Sequence, residues 1–255
     1  MEFMDILSVL FRWIHVVAGI LWIGLLYWFN WMNIPFNATL DGETRKKIMP
    51  ELGPRVLYFF RWGAVWTWVV GILLLAIVFY HGGLMFEQGV AGWSMGSWVM
   101  LAVVFLIFPL YDALAKSGLG KNLKAFGAVA FVLIAAIEYL MIHWGEFSYR
   151  AYNIHVGAMF GTLMISNVWM RIWPVQKKVL PVVKEGGAPD AALMALAAQR
   201  SRHNTYMSVP LVWTMINAHT VVPGGDSWLW LLGVTLVGWL GVTWLYSKSM
   251  KVKGF

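Results

Sequence analysis

The chain has no cysteine, which removes disulfides, thiolate catalysis, iron–sulfur ligation and covalent haem c attachment through CxxCH. Charge is almost as scarce: Asp, Glu, Lys and Arg make up 12% of the 255 residues, whereas 60% are hydrophobic. So little charge over so much apolar surface excludes an ordinary soluble domain and defines an integral membrane protein. Any redox chemistry in such a chain has to use cofactors held by histidine rather than by thiolate.

What is present is a series of apolar runs long enough to cross a hydrocarbon core of about 30 Å at about 1.5 Å per residue. Seven spans are expected, near residues 7–36, 56–80, 93–114, 123–144, 152–173, 206–222 and 228–246. The fold class is therefore an all-α polytopic transmembrane bundle, a single integral membrane domain over residues 1–255. The first run is far longer than a signal-peptide core and no small-residue cleavage site follows it, so it is read as a retained helix. Residues 174–203, with Gly186, Gly187, Pro189 and the stretch AALMALAAQR, read as a cytoplasmic loop carrying a short helix capped by Asp190. Residues 37–55, with Pro50 and Pro54, read as a second cytoplasmic linker.

The cations fix an expected orientation, because short loops rich in Lys and Arg stay in the cytoplasm. Arg45, Lys46, Lys47 and Arg55 follow span one, Lys116 and Lys121 span three, Lys177, Lys178, Lys184, Arg200 and Arg202 span five, and Lys248, Lys251 and Lys253 span seven. The alternate loops at 81–92, 145–149 and 223–227 hold no Lys or Arg. The N-terminus is thus placed outside and the C-terminus inside the membrane. The formal charge of +7 is a topology signal and an attraction to anionic lipid, with no nucleic-acid partner implied.

On this topology His15, His143, His155 and His219 fall toward the outer ends of four different spans. His15 and His155 lie within the outer leaflet, where an ionisable residue is costly and usually faces the bundle interior with a partner. Small residues flank both: Ala18, Gly19 and Gly24 follow His15, and Gly157, Ala158 and Gly161 follow His155. Two readings stand, a flat ligand lying against Gly19 and Gly157, or ordinary small-xxx-small helix packing. Arg12, one turn from His15, either pairs with a haem propionate or snorkels to the headgroups. His143 and His81 also suit an interfacial role beside tryptophan. Haem b ligated by two imidazoles fits the layout, with His15, His155 and His219 as iron ligands and His143 in reserve. A copper site built from three or four of these histidines is the alternative. Glu138, a turn and a half inside His143, is either protonated, paired or part of a proton path.

Three segments carry a family resemblance: HVVAGILWIGLLYWFNW (15–31), HVGAMFGTLMISNVWMRIWPVQKK (155–178) and QRSRHNTYMSVPLVWTMINAH (199–219). They resemble the membrane domain of bacterial membrane-bound urate oxidases, the urate oxidase N-terminal family. The resemblance gives weight to His15, His155, His203 and His219, and implies a urate-hydroxylating activity coupled to a C-terminal cytochrome c domain. This sequence departs from that pattern: it has no CxxCH, no eighth span delivering a domain outside, and a short 37–54 loop where urate-oxidising members carry a Gly-rich, His-containing insertion. The expectation is therefore haem b electron transfer between a separate outer-side cytochrome c or partner complex and the membrane, with quinone as a further partner. Oxidation of urate or a related purine, with Asn217, Asn153 and Arg150 as recognition residues, and a non-redox structural or copper- or proton-linked transport role are the alternatives.

Overall fold

A computed structural model describes residues 3–217 and 227–252. Among these residues it is all-helical, and the one extended pairing is an isolated bridge between Phe86 and Phe147. Helix α1 spans Phe3–Thr39, α2 Gly42–His81, α3 Met95–Leu106, α4 Phe108–Lys116 and α5 Leu123–His143. Helix α6 joins Tyr149–Asn167 through a π-helical turn, Val168–Ile172, to Trp173–Lys184. Helices α7, Ala191–Asn217, and α8, Trp228–Ser249, complete the chain.

By length and apolarity alone α1, α2, α5 and α8 qualify as membrane spans, with a fifth if α3 and α4 count as one. The expected span at 152–173 is not among them, nor is the described part of the one at 206–222, of which 218–222 lie outside the described residues. The reason is local: α6 carries Asn153, His155, Asn167 and Arg171, and α7 carries Arg200, His203, Asn204 and Asn217. Most of these polar groups are buried, and mean hydropathy counts a residue without regard to which way it faces. Every residue from Ala151 to Val168 is buried or half-buried. The expected span at 93–114 is bent by 50° between α3 and α4. Pro109, at the start of α4, has no N–H to give the carbonyl four residues back, and its ring crowds that carbonyl.

Two linkers differ from expectation. Residues 42–55 are the first turns of α2, which runs through Pro50 and Pro54. The segment after Pro174 stays helical to Lys184, and Asp190 caps not a short helix but the whole of α7, its carboxylate accepting from Ala192 N (2.7 Å) and Leu193 N (3.4 Å).

The chain divides into two compact units, one built from Met1–Gly71, Met164–Ser208 and Trp239–Phe255, the other from Ile72–Leu163 and Val209–Gly238. In the first, α1 runs antiparallel to the first part of α2. A Cβ at Gly63 would sit 3.4 Å from Trp22 N and 3.5 Å from Ala18 O, so the helices approach there as closely as backbones allow. Asn30, in the π turn Trp28–Asn33, donates to Leu26 O (2.9 Å) and Ser201 Oγ (2.9 Å) and accepts from the Tyr246 hydroxyl (2.9 Å), tying three helices together. Asn167 donates to Asn204 (2.8 Å), which donates to Met164 O (3.0 Å). In the second unit, the loop after α2 docks on the turn before α6: Ser148 N donates to Met85 O (2.8 Å) and Ser148 Oγ to Leu84 O (2.8 Å).

Candidate functional site

His155 lies on the second turn of α6, fully buried. Its Nδ1 is 2.7 Å from Ala151 O, one turn back. A carbonyl only accepts, so Nδ1 carries the proton and Nε2 presents a lone pair. The Tyr80 hydroxyl donates to that lone pair at 3.0 Å. Rings of Phe147 (5.2 Å), Tyr80 (5.7 Å) and Phe79 (6.1 Å) surround the imidazole. Tyr80 and Phe79 are delivered by the π-helical end of α2, Leu75–His81, and Phe147 by the turn that the Ser148 bonds hold in place. From Tyr80 the aromatic contacts continue to Trp93 (5.9 Å) and on to the exposed Trp98, stacked on Trp93 at 4.5 Å.

His15, in the other unit, has the same local arrangement. Its Nδ1 donates to Thr67 O of α2 at 2.8 Å, leaving Nε2 as the lone pair. The Thr67 hydroxyl donates one turn back to Gly63 O (2.7 Å), and Gly71 leaves the imidazole its space: a Cβ there would lie 3.0 Å from Cε1. An imidazole whose Nδ1–H is fixed on a backbone carbonyl is the form in which histidine ligates metals, because the second bond sets tautomer and ring direction. The donor chemistry of both residues therefore suits an iron-bound group; at His155 the ligating nitrogen is shared with Tyr80, which would have to release it.

The remaining expected residues are placed as follows. Arg12 is exposed on α1. Gly19 faces Thr67, where a Cβ would meet Cγ2 at 3.7 Å, and Gly157 packs on Thr214, whose side chain a Cβ would strike. Both positions thus serve helix packing in the structure. His143 is exposed at the end of α5 with its ring 4.3 Å from that of Tyr139, and His81 is exposed. His219 lies outside the described residues. Among the described residues no group of three or more His, Asp or Glu side chains could hold a metal ion. Asn217 donates to the Tyr149 hydroxyl, Asn153 is buried with its Oδ1 lacking a hydrogen-bond partner, and Arg150 is exposed.

Sequence reasoning missed the polar interior of α7. Arg200, His203, Asn204, Thr205 and Ser208 are all buried, although the cluster of cations in RSRH reads as a solvated cytoplasmic loop. The available signal was the spacing: 200, 204 and 208 share a helical face, as do 201 and 205.

A helical membrane protein with two buried or half-buried histidines, each fixed through Nδ1 on a backbone carbonyl, is the class these features define. A family model described as urate oxidase N-terminal matches residues 42–253, most of the chain, and the protein belongs to that family. His155, His203 and His219 fall inside the matched stretch, whereas His15 precedes it and stands on its geometry. No curated protein and no solved structure matches the chain.

Proposed function

We propose that this protein is a haem b electron carrier of the bacterial inner membrane, and that His15 and His155, followed by His219, are the residues that would hold haem iron. The observation that supports it is the shared state of the His15 and His155 imidazoles, each with Nδ1–H engaged on a backbone carbonyl so that Nε2 carries the lone pair, which at His155 accepts from the Tyr80 hydroxyl. Haem held there supplies one-electron ferric–ferrous chemistry. The chain's own part is to fix both tautomers through Thr67 O and Ala151 O and to exclude water around His155 with Phe79, Tyr80 and Phe147. The run from Tyr80 through Trp93 to exposed Trp98 leads toward a partner, for which a separate cytochrome c on the outer side and quinone in the membrane are the natural counterparts. Seven spans with the N-terminus outside belong to the same proposal.

The test is the visible spectrum of protein purified after expression with ample haem. Reduced haem b bands are expected, abolished or shifted in His15→Ala and in His155→Ala; absence of haem, or unchanged spectra in both variants, refutes the reading. Tyr80→Phe removes the competing hydroxyl and is expected to keep the bands.

Family membership favours a second reading, oxidation of urate or a related purine delivering electrons to an external cytochrome c. Tyr149, Asn153 and Asn217 then provide hydrogen-bonding groups, and urate-dependent haem reduction is its signature. A three- or four-histidine copper site has no support among the described residues.

A further inference from the structure

We propose that the lateral groove between α1 and α2 is a binding site for an anionic phospholipid, with Arg61 as the group that receives its phosphate. The groove has a volume of ≈ 720 Å³, and its lining includes Val17 and Leu21 of α1 and Tyr58, Trp62 and Trp66 of α2. Its floor is the close approach at Ala18 and Gly63, where small residues leave room between two helices that are otherwise aromatic. Every lining side chain is apolar or aromatic, which suits an acyl chain.

Beside the groove the chemistry changes. Tyr58 and Trp62 line it and also lead to Arg61, whose guanidinium stands 3.8 Å over the Trp173 ring and 5.6 Å and 5.8 Å from those of Trp169 and Tyr58. Trp62 meets Trp169 edge-on at 5.7 Å. Lys177 lies 5.6 Å from the same Trp173 ring. Neither cation has a carboxylate partner among the described residues, whereas Arg55 on the same helix is paired with Glu51 at 2.9 Å. Arg61 Nε is buried without a hydrogen-bond partner. A stacked guanidinium offers its edge N–H groups in one plane, the form that binds phosphate oxygens best, and stacking on indole holds that plane in place. Between Arg61 and His81 the sequence has no charged residue, so Arg61 sits where a span meets the headgroups. An apolar channel with Arg61 beside its lining ring Tyr58, and Lys177 on the Trp173 ring that Arg61 covers, matches the charge and shape of one diacyl phospholipid with a net negative headgroup.

The test is native mass spectrometry of the delipidated full-length protein in detergent, titrated with palmitoyl-oleoyl phosphatidylglycerol or with the phosphatidylcholine of identical chains. Wild type is expected to hold one phosphatidylglycerol at about fivefold lower concentration than phosphatidylcholine, the effect of one interfacial cation. Arg61→Gln brings the two lipids to parity. Lys177→Gln, at an exposed position that folding tolerates, lowers the preference in the same direction. Val17→Trp, which fills the groove from an exposed position, lowers occupancy by both lipids. Equal occupancy in wild type, a preference that survives both charge substitutions, unchanged occupancy in Val17→Trp, or retention of a quinone in place of phospholipid overturns the proposal.

Discussion

Glu138 of α5 shows how far one side chain can constrain a membrane interior. It is fully buried, on the face shared with Ile134 and Met141, and neither carboxyl oxygen has a hydrogen-bond partner among the described residues. An ionised carboxylate in such surroundings would need a cation or several donors, and a solvation cost of several kcal/mol would fall on it otherwise. Magnitude separates the two states. If Glu138 carried a paired charge, neutralising it would strand the partner at about 3–5 kcal/mol; if it sits uncharged, Glu138→Gln keeps shape and polarity and changes stability by less than about 1 kcal/mol. The second outcome is expected in thermal unfolding of the detergent-solubilised protein, and a loss in the larger range contradicts it. His155 makes the complementary case, since its buried polar atoms are all engaged, by Ala151 O and the Tyr80 hydroxyl.

At the level of elements, the start of α2 depends on Asp41. Its carboxylate accepts from Thr44 N (2.9 Å) and from the Thr44 hydroxyl (2.7 Å), satisfying an N–H that the first helical turn cannot use, and these bonds hold its carboxyl below the usual carboxylate range. Glu43 in the first turn favours this terminus, whereas Arg45, Lys46 and Lys47 follow at the positive end of the helix dipole and oppose it. A lowered folded-state value means the cap stabilises above the ordinary Asp range and is lost as pH falls through the lowered value. The protection of amides 43–46, their exchange rate taken against the intrinsic rate at the same pH, is therefore expected to fall on acidification and to be low at neutral pH in Asp41→Ala; equal protection in all three conditions contradicts the cap. Much of the element map was legible because it rests on such local chemistry: Asp190 reads as a cap, and the spans at 123–144 and 228–246 fall within a few residues of α5 and α8. The π turns at 28–33, 75–81 and 168–172 were not legible, because one extra residue per turn leaves the apolar pattern intact while rotating Asn30 and Tyr80 relative to an ideal helix. The polar face of α7 was hidden for a different reason. Its buried Arg200 and Asn204 have the composition of a loop; their spacing puts them on one helical face, and tertiary packing turns that face inward. His15 and His155 were legible as residues out of place in apolar helices, but the carbonyls that orient them, Thr67 O and Ala151 O, belong to backbone that no side-chain pattern announces.

For the whole molecule, the open question is how many helices cross the membrane, and it has a decisive form because the chain contains no cysteine. Single cysteines at exposed positions then report topology with no background. Gln88, Lys121 and Glu185 are exposed and lie after α2, between α4 and α5, and after α6. If α3 and α4 form one bent crossing and α5 and α6 each cross, three crossings separate Gln88 from Glu185, which places them on opposite sides; one crossing separates Gln88 from Lys121. On the orientation expected from the cation pattern, Gln88 would lie outside, since the loop around it has no Lys or Arg, and the lysine-bearing segments inside. An impermeant maleimide is expected to label Gln88→Cys in intact spheroplasts, and Lys121→Cys and Glu185→Cys only after permeabilisation. Should α6 fail to cross, Glu185→Cys labels together with Gln88→Cys while Lys121→Cys stays protected. Should the α3–α4 pair re-enter instead, Gln88→Cys and Lys121→Cys label together. The seven-span reading survives neither result. Its success would mean that α6, with His155 and Asn153 buried along it, is carried through the bilayer by the helices that cover it rather than by its own hydropathy.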